Sequence, residues 1–242
     1  MSYAEYPYAR FGDPVAQAAV DERVGFIRQT YAHLTGAVLG FSFIIAMALQ
    51  LEVIRNICAQ FFRVPYLYLI AMFGLMGVSW ICQKWAADST SRGTQYAGLF
   101  IYTVAEAIFF LPMIYLATFF EGALLSAGVI TAAVFIGLTL SVFITRADFS
   151  FLRSGLTIAT IALLAIAICS MFFVNDGSGM IALLICGAFV VLCAGYILYH
   201  TSQVLHHYPV GFHVAASLAL FASLTTLFWY VLHIVMAFSG RD

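Results

Sequence analysis

A single carboxylic acid, Glu106, stands inside an apolar run from Tyr96 to Phe120 that is long enough to cross a lipid bilayer. At about 1.5 Å per residue, Glu106 lies about 15 Å from the start of that run, near the membrane centre. An acid at that depth costs roughly 2.5–3.5 kcal/mol on insertion scales, so its side chain is expected to face other helices. Two interpretations follow: a proton- or ion-responsive site, or a neutral acid hydrogen-bonded to a neighbouring helix.

Histidines form the second chemically capable group, because imidazole titrates near neutral pH and binds transition metals. Five of the six are expected near the ends of membrane helices on one side of the bilayer, namely His33, His200, His206, His207 and His213. Neither an HExxH motif nor a ladder of closely spaced histidines occurs, so no metal site and no cofactor is predicted. A response to pH and a plain interfacial role both stay open for these side chains.

Hydroxyl groups accumulate in the last apolar segment, at Ser217, Ser223, Thr225 and Thr226. Counted from the cytoplasmic start of its segment near Phe212, Ser223 lies about as deep as Glu106, so the two side chains could share a hydrogen bond. The alternative is that these hydroxyls bond to the backbone of their own helix. With no GxSxG motif, catalytic residues are not predicted, and a non-enzymatic protein is expected rather than an intramembrane hydrolase.

The composition shows what must position these residues. Of the 242 residues, 64% are hydrophobic and 9% are charged, against about 25% charged in soluble domains. Because this number of charges cannot cover a water-exposed surface, the chain is expected to be an integral membrane protein whose obligatory partner is the lipid bilayer. The net charge of −1 gives no sign of a nucleic-acid partner. The five cysteines form no CxxC pair and are expected to pack as small apolar side chains.

Apolar runs predict an all-α, polytopic bundle of seven transmembrane helices. The predicted segments are His33–Leu51, Tyr66–Gln83, Tyr96–Phe120, Ala123–Ile144, Leu156–Val174, Met180–His200 and Phe212–Phe238. Residues 1–30 are predicted to form an N-terminal tail, and residues 31–242 the seven-helix transmembrane domain. Glycines, including Gly36 and Gly40 in a GxxxG pattern, together with Gly74, Gly77, Gly187 and Gly195, are expected to allow close helix packing.

Lys and Arg predict the orientation, because these residues are retained on the cytoplasmic side. With the N-terminus inside, seven of the ten fall in cytoplasmic segments and three outside, the latter being Arg55, Arg63 and Arg241. The N-terminus is therefore predicted to be cytoplasmic and the C-terminus to lie outside. His200 then faces the cytoplasmic side.

Four stretches resemble the transmembrane Bax-inhibitor-motif family, in particular the bacterial branch that includes the YccA-type modulator of the FtsH membrane protease. They are ERVGFIRQTYAHLTGAVLGF (Glu22–Phe41), ITRADFSFLRSGL (Ile144–Leu156), GYILYHTSQVLHH (Gly195–His207) and SLALFASLTTLFWYVLHIVMAFSGRD (Ser217–Asp242). The resemblance implies seven helices with the seventh at the centre. It also implies a location in the bacterial inner (plasma) membrane.

In that family, helix six usually ends in an aromatic-acid-Thr triplet, and a second acid on helix seven shares a proton with it. Here the triplet reads Tyr199-His200-Thr201, and the second position falls at about Ser223, or at Phe221 with another gap placement. The shared-proton pair is therefore absent, which argues against a calcium leak of the family type. The resemblance also places Lys84 near the position of a basic latch residue, and we expect Glu106 to supply a replacement acid.

The resemblance implies a membrane regulatory or interaction protein that contacts another assembly, such as an FtsH-type protease. Two alternatives stay open. The first is a pH-gated proton or calcium leak that uses Glu106, His200, Ser223, Thr226 and Lys84. The second is an accessory subunit built into a larger membrane complex.

Overall fold

The computed structural model describes residues 14–61, 67–87, 91–173 and 179–240. Within them the backbone forms eight α-helices and no β-strand, which confirms the predicted all-α class. The helices are α1 (Val20–Ala48), α2 (Glu52–Phe61), α3 (Leu67–Ala86), α4 (Arg92–Ala117), α5 (Ala123–Thr145), α6 (Leu152–Phe173), α7 (Met180–His206) and α8 (His213–Ser239).

Six of these helices, α1 and α4 to α8, are long and apolar enough to cross a bilayer. Each of the seven predicted segments coincides with one of the long helices, including α3, which has 20 residues. The predicted limits Tyr66 and Val174 lie outside the described residues. The structure therefore establishes a multi-pass membrane protein with six candidate spans, and a crossing by α3 stays a prediction.

Two helices extend further than apolarity predicts. Helix α1 begins at Val20 rather than near His33, and acidic side chains in its first turn are favourable for the helix dipole. Helix α7 continues beyond His200 to His206, because Thr201, Ser202 and Gln203 are buried by protein. His200 is therefore an internal residue of α7, which corrects the prediction that the helix ends there.

The short helix α2 was not predicted. Polar residues interrupt its 10-residue sequence at several positions, so it lacks the run of about 20 apolar residues that predicts a membrane-spanning helix. At the other short connection, Gly122 has a φ of 72°, which lets the chain turn between α4 and α5.

The glycine prediction was wrong at four positions. A Cβ atom built on Gly36, Gly74, Gly77 or Gly187 would meet no other atom within 4 Å among the described residues. Gly195 does pack closely, because its Cβ would lie 2.7 Å from Cδ2 of Leu156. An equally close approach, to backbone rather than to a side chain, occurs at Gly98, where a Cβ would lie 2.7 Å from the Cys82 carbonyl oxygen. Burial between two backbones is a tertiary property that a GxxxG spacing does not encode.

The chain divides into two compact units. Unit 1 comprises residues 1–116 and 204–221, and unit 2 comprises residues 117–203 and 222–242. In unit 1, the rings of Phe41, Phe110 and Phe221 pack edge to face. In unit 2, Leu156, Phe189 and Leu192 form a buried cluster, and Phe189 stacks on Tyr230 at 4.4 Å between ring centroids.

Candidate functional site

Glu106 is buried in α4 of unit 1, with 3% of its surface exposed. The Tyr102 hydroxyl donates a hydrogen bond of 2.6 Å to Glu106 Oε1. Residues four apart lie on the same face of a helix, so α4 itself supplies this partner. The expectation that Glu106 faces the inside of the protein agrees with its burial, whereas the hydrogen bond observed comes from its own helix rather than from a neighbouring one.

Tyr102 links this acid to two further helices of unit 1. Its ring packs edge to face on Phe221 of α8, with 6.0 Å between ring centroids. The side chains of Ser79 and Cys82 in α3 lie within interaction range of its hydroxyl. Phe221 is one of the two positions at which the family resemblance places an acid, so an aromatic ring stands beside the Tyr102–Glu106 pair there. Such an arrangement can hold a proton between a phenol and a carboxyl group away from water.

A second polar cluster of unit 1 joins α1, α4 and α8. The rings of His33 and His213 lie 5.0 Å apart, and the Tyr96 hydroxyl lies 3.3 Å from His213 Nε2. His33 Nδ1 lies 2.7 Å from the Gln29 carbonyl oxygen, and Arg92 contributes a positive charge in range of His213. The structure thus brings together two of the five histidines that were predicted to share one side of the membrane.

Hydroxyl groups of α8 behave in two ways. Ser217 in unit 1 donates a hydrogen bond of 2.8 Å to the Thr30 carbonyl oxygen, which joins α8 to α1. Thr226 is exposed and donates to the Ala222 carbonyl of its own helix at 2.7 Å, as the alternative interpretation predicted. Ser223 is buried in unit 2. Since Glu106 belongs to unit 1, its pairing with Ser223 stays a prediction.

His200 lies in unit 2 between aromatic side chains. Its ring is nearly parallel to that of Tyr196, at 5.8 Å, and meets that of Tyr199 at 5.1 Å. Among the described residues, no hydrogen-bond partner reaches the buried His200 Nδ1 or the hydroxyl of Thr201. Aromatic rings surround the position at which the family resemblance places an acid. A pairing of His200 with Glu106 in unit 1 stays a prediction.

One polar connection in unit 2 was missed by the sequence analysis. Ser202 Oγ donates to Asp148 Oδ1 at 3.3 Å and accepts from the Phe149 amide at 2.9 Å. Asp148 Oδ1 also accepts from the Ser150 amide at 2.9 Å, a local turn that Asp-x-Ser sequences favour. These hydrogen bonds connect the segment between α5 and α6 to Ser202 of α7, which lies two residues after His200. The turn could have been predicted from the sequence, whereas its partner Ser202 could not.

Lys84 is the last of the predicted site residues. Lys84 is exposed at the end of α3, with Nζ 3.5 Å from the centre of the Trp80 ring, a cation–π contact within its own helix. Its role as a latch stays a prediction. In the described ranges, no group of three or more His, Cys, Asp or Glu side chains is placed to hold a metal ion.

Comparison with known proteins now identifies the family. The model for the family described as inhibitor of apoptosis-promoting Bax1 matches residues 23–240. The chain belongs to the Bax inhibitor-1 family. It is 30% identical to an uncharacterized protein of Pseudomonas aeruginosa over 94% of this chain and 96% of the other. It is 28% identical to Bax inhibitor 1 of Schizosaccharomyces pombe, over 95% and 82% of the two chains.

Similarity extends to an animal protein. The chain is 26% identical to protein lifeguard 4 of the mouse, over 96% of this chain and 92% of the other. The range matched by the family model, residues 23–240, contains α2 to α8 and all but the first residues of α1. Membership of the Bax inhibitor-1 family accounts for the long apolar helices and their contact with lipid.

Proposed function

We propose that this chain is a non-enzymatic regulatory protein of the bacterial inner membrane that acts by contacting another membrane assembly, of the FtsH protease type. The observation that carries this proposal is the aromatic surrounding of His200. Calcium binds oxygen ligands, especially carboxylates. His200, whose ring contacts those of Tyr196 and Tyr199, offers no carboxylate oxygen for calcium. A role in regulation by contact is therefore favoured over calcium release.

The proposal includes an architecture. All seven predicted segments cross the bilayer, with α8 at the centre, a cytoplasmic N-terminus and an outer C-terminus. Residues 1–30 contain the cytoplasmic tail, and residues 31–242 form the transmembrane domain. Burial supports a place for α8 inside the bundle: 44% of its most apolar stretch is buried, less than the 56% of α4, which carries Glu106, and more than the 28% or less of α1, α5, α6 and α7.

The surface proposed for the partner lies in unit 1. The first described residues are held against the connection between α7 and α8. The Val15 amide donates a hydrogen bond of 3.0 Å to the Tyr208 carbonyl oxygen, and the Val15 side chain is fully buried. The ring of Phe26 in α1 packs near that of Tyr208. A tail held in place in this way offers a partner a pre-ordered surface, which lowers the entropic cost of binding.

A pull-down from mild detergent, followed by mass spectrometry, tests the proposal. We expect the tagged native chain to capture a membrane protease, and Val15→Asp to lose it because a buried charge expels the segment from its site. Val20→Asp is the matched control, since Val20 is 75% exposed. Equal capture by both variants would contradict a role for this surface. A partner retained at fixed stoichiometry through every purification step would instead indicate an accessory subunit.

A pH-gated proton or calcium leak is the second candidate, and the buried Tyr102–Glu106 bond is the observation that favours it. Proteoliposomes that contain the purified chain would show flux that depends on pH and is lost in Glu106→Gln. Thr35→Val in α1 is the control, because Thr35 is not among the proposed leak residues and its exposed hydroxyl donates to the Tyr31 carbonyl oxygen of its own helix at 2.9 Å. No flux from the native chain at any pH between about 5 and 8 would remove this candidate.

A further inference from the structure

The short helix α2 has two chemically different apolar sides. At about 100° per residue, Ile54, Cys58 and Phe61 fall on one side, and Val53 and Ile57 fall on the next. The first side packs on the protein: Cys58 is 2% exposed, and burial raises the pKa of its thiol. The second side is open, with Val53 69% and Ile57 56% exposed. An open apolar side next to a buried one needs an occupant.

The third side of α2 is polar and exposed, and its members are Glu52, Arg55, Asn56 and Gln60. The helix carries one acid and one base, so its own net charge is zero. Arg55 also donates a hydrogen bond of 3.3 Å to the Leu49 carbonyl oxygen beyond the end of α1. A polar side of this kind suits the headgroup layer of a zwitterionic lipid and has no excess charge with which to select anionic lipids.

The position of α2 in the chain indicates what occupies the open side. Its 10 residues measure about 15 Å, half of the hydrocarbon thickness, so α2 cannot cross the bilayer. Helix α2 follows α1 after a short turn. Exposed apolar side chains form a row along α1 at intervals of four residues, and this row reaches into the turn; its members are Leu39, Phe43, Met47 and Leu51. Val53 and Ile57 are the next large exposed apolar side chains along the chain after this row.

We infer that α2 lies in the surface of the bilayer, with Val53 and Ile57 among the lipid acyl chains and Glu52, Asn56 and Gln60 in the headgroup layer. The occupant of the open side is thus lipid. Cys58 fixes the helix to the protein and thereby sets which side faces the acyl chains. This helix holds the end of α1 at a defined depth, a role that is independent of the proposed contact with a protease.

Fluorescence quenching in proteoliposomes tests this inference on the full-length chain. An environment-sensitive probe is attached to Ile57→Cys, or to Asn56→Cys as the matched control on the polar side, after the five native cysteines are replaced by alanine. The vesicles are phosphatidylcholine, with nitroxide on the upper acyl chain as one quencher and iodide in the water as the other. We expect the probe at position 57 to be blue-shifted and quenched by nitroxide, and the probe at position 56 to be quenched by iodide.

Two results would overturn the inference. If iodide quenches positions 57 and 56 equally, the apolar side faces water. If neither quencher reaches position 57, protein covers it, either a second copy of the chain or another partner. Insertion that requires phosphatidylglycerol would also count against the inference, because α2 has no net charge to attract an anionic surface.

A second measurement avoids replacing the native cysteines. A photoreactive amino acid is introduced at position 57 or 56 of the otherwise natural chain, and adducts are identified by mass spectrometry after illumination. Lipid adducts at position 57 and few at position 56 are expected. Protein adducts at position 57, or equal lipid adducts at both positions, would contradict the assignment of this side to lipid.

Discussion

At the scale of single residues, the best-defined polar interaction is the bond from Tyr102 to Glu106. Both side chains are at least 97% buried, and the bond of 2.6 Å is short, as expected when a carboxyl group accepts from a phenol. Removing one partner of a buried pair costs more than removing both, because the remaining group has lost water and gained nothing in return. This asymmetry gives a test of the pair.

Tyr102→Phe should lower the free energy of unfolding by about 1–3 kcal/mol, because it removes the donor to a buried acid. In a Glu106→Leu background, Tyr102→Phe should lower the free energy of unfolding by a clearly smaller amount. Thermal or denaturant unfolding in detergent, analysed as a double-mutant cycle, gives the coupling energy. A coupling near zero would show that the Tyr102 hydroxyl does not stabilise the protein through Glu106.

Thr201 and Ser202 provide a second test, since they are adjacent and both fully buried. The Thr201 hydroxyl has no hydrogen-bond partner among the described residues, whereas Ser202 connects Asp148 and the Phe149 amide. Ser202→Ala should therefore destabilise the protein by about 1–3 kcal/mol, and the nearly isosteric Thr201→Val should be neutral or stabilising. Unfolding midpoints of the two variants decide this. A large loss in Thr201→Val would reveal a polar partner for that hydroxyl.

At the scale of helices, α3 and α4 approach each other closely at Gly98, which has the least room for a Cβ atom among the glycines of unit 1. A Cβ atom there would lie 2.7 Å from the Cys82 carbonyl oxygen and 3.0 Å from the Ala86 amide nitrogen. Both neighbours belong to the backbone of α3 and cannot move as a flexible side chain does. The contact also places Cys82 within range of Tyr102, so the spacing of α3 and α4 supports the polar pair.

Gly98→Ala should destabilise the protein by about 1–3 kcal/mol, because the two helices must move apart to admit a methyl group. Gly77→Ala in α3 is the matched control: its Cβ would meet nothing within 4 Å, and alanine favours a helix by up to about 1 kcal/mol. Thermal unfolding in detergent compares the two. Equal midpoints would show that α3 and α4 adapt to the methyl group without loss.

These same elements show how far the sequence predicts the structure. Long apolar runs predicted the long helices because lipid demands about 20 apolar residues, a property that is local in the chain. Helix α2 was missed because an amphipathic helix at the bilayer surface does not meet that demand. The Tyr102–Glu106 bond could have been predicted from its spacing of four residues. The contact of His33 with His213 could not, because it depends on the packing of helices far apart in sequence.

At the scale of the whole molecule, the number of crossings decides where the C-terminus lies. An odd number places the two termini on opposite sides of the membrane, and an even number places them on the same side. The structure gives six candidate spans, and the sequence predicts a seventh on α3. The orientation of every helix after α3, including α8 with His213, thus depends on whether α3 crosses, whereas α1 with His33 precedes α3 and keeps its orientation.

We expect α3 to cross, because its 20 residues measure about 30 Å and match the hydrocarbon thickness. Fusions to reporters, made after Asp242 and after Ala147, test this prediction. With seven crossings and a cytoplasmic N-terminus, alkaline phosphatase should be active at Asp242, and green fluorescent protein should fluoresce at Ala147. If α3 does not cross, both signals reverse, because every later segment then changes sides. A reporter on the N-terminus is the control, since its side is the same in both cases.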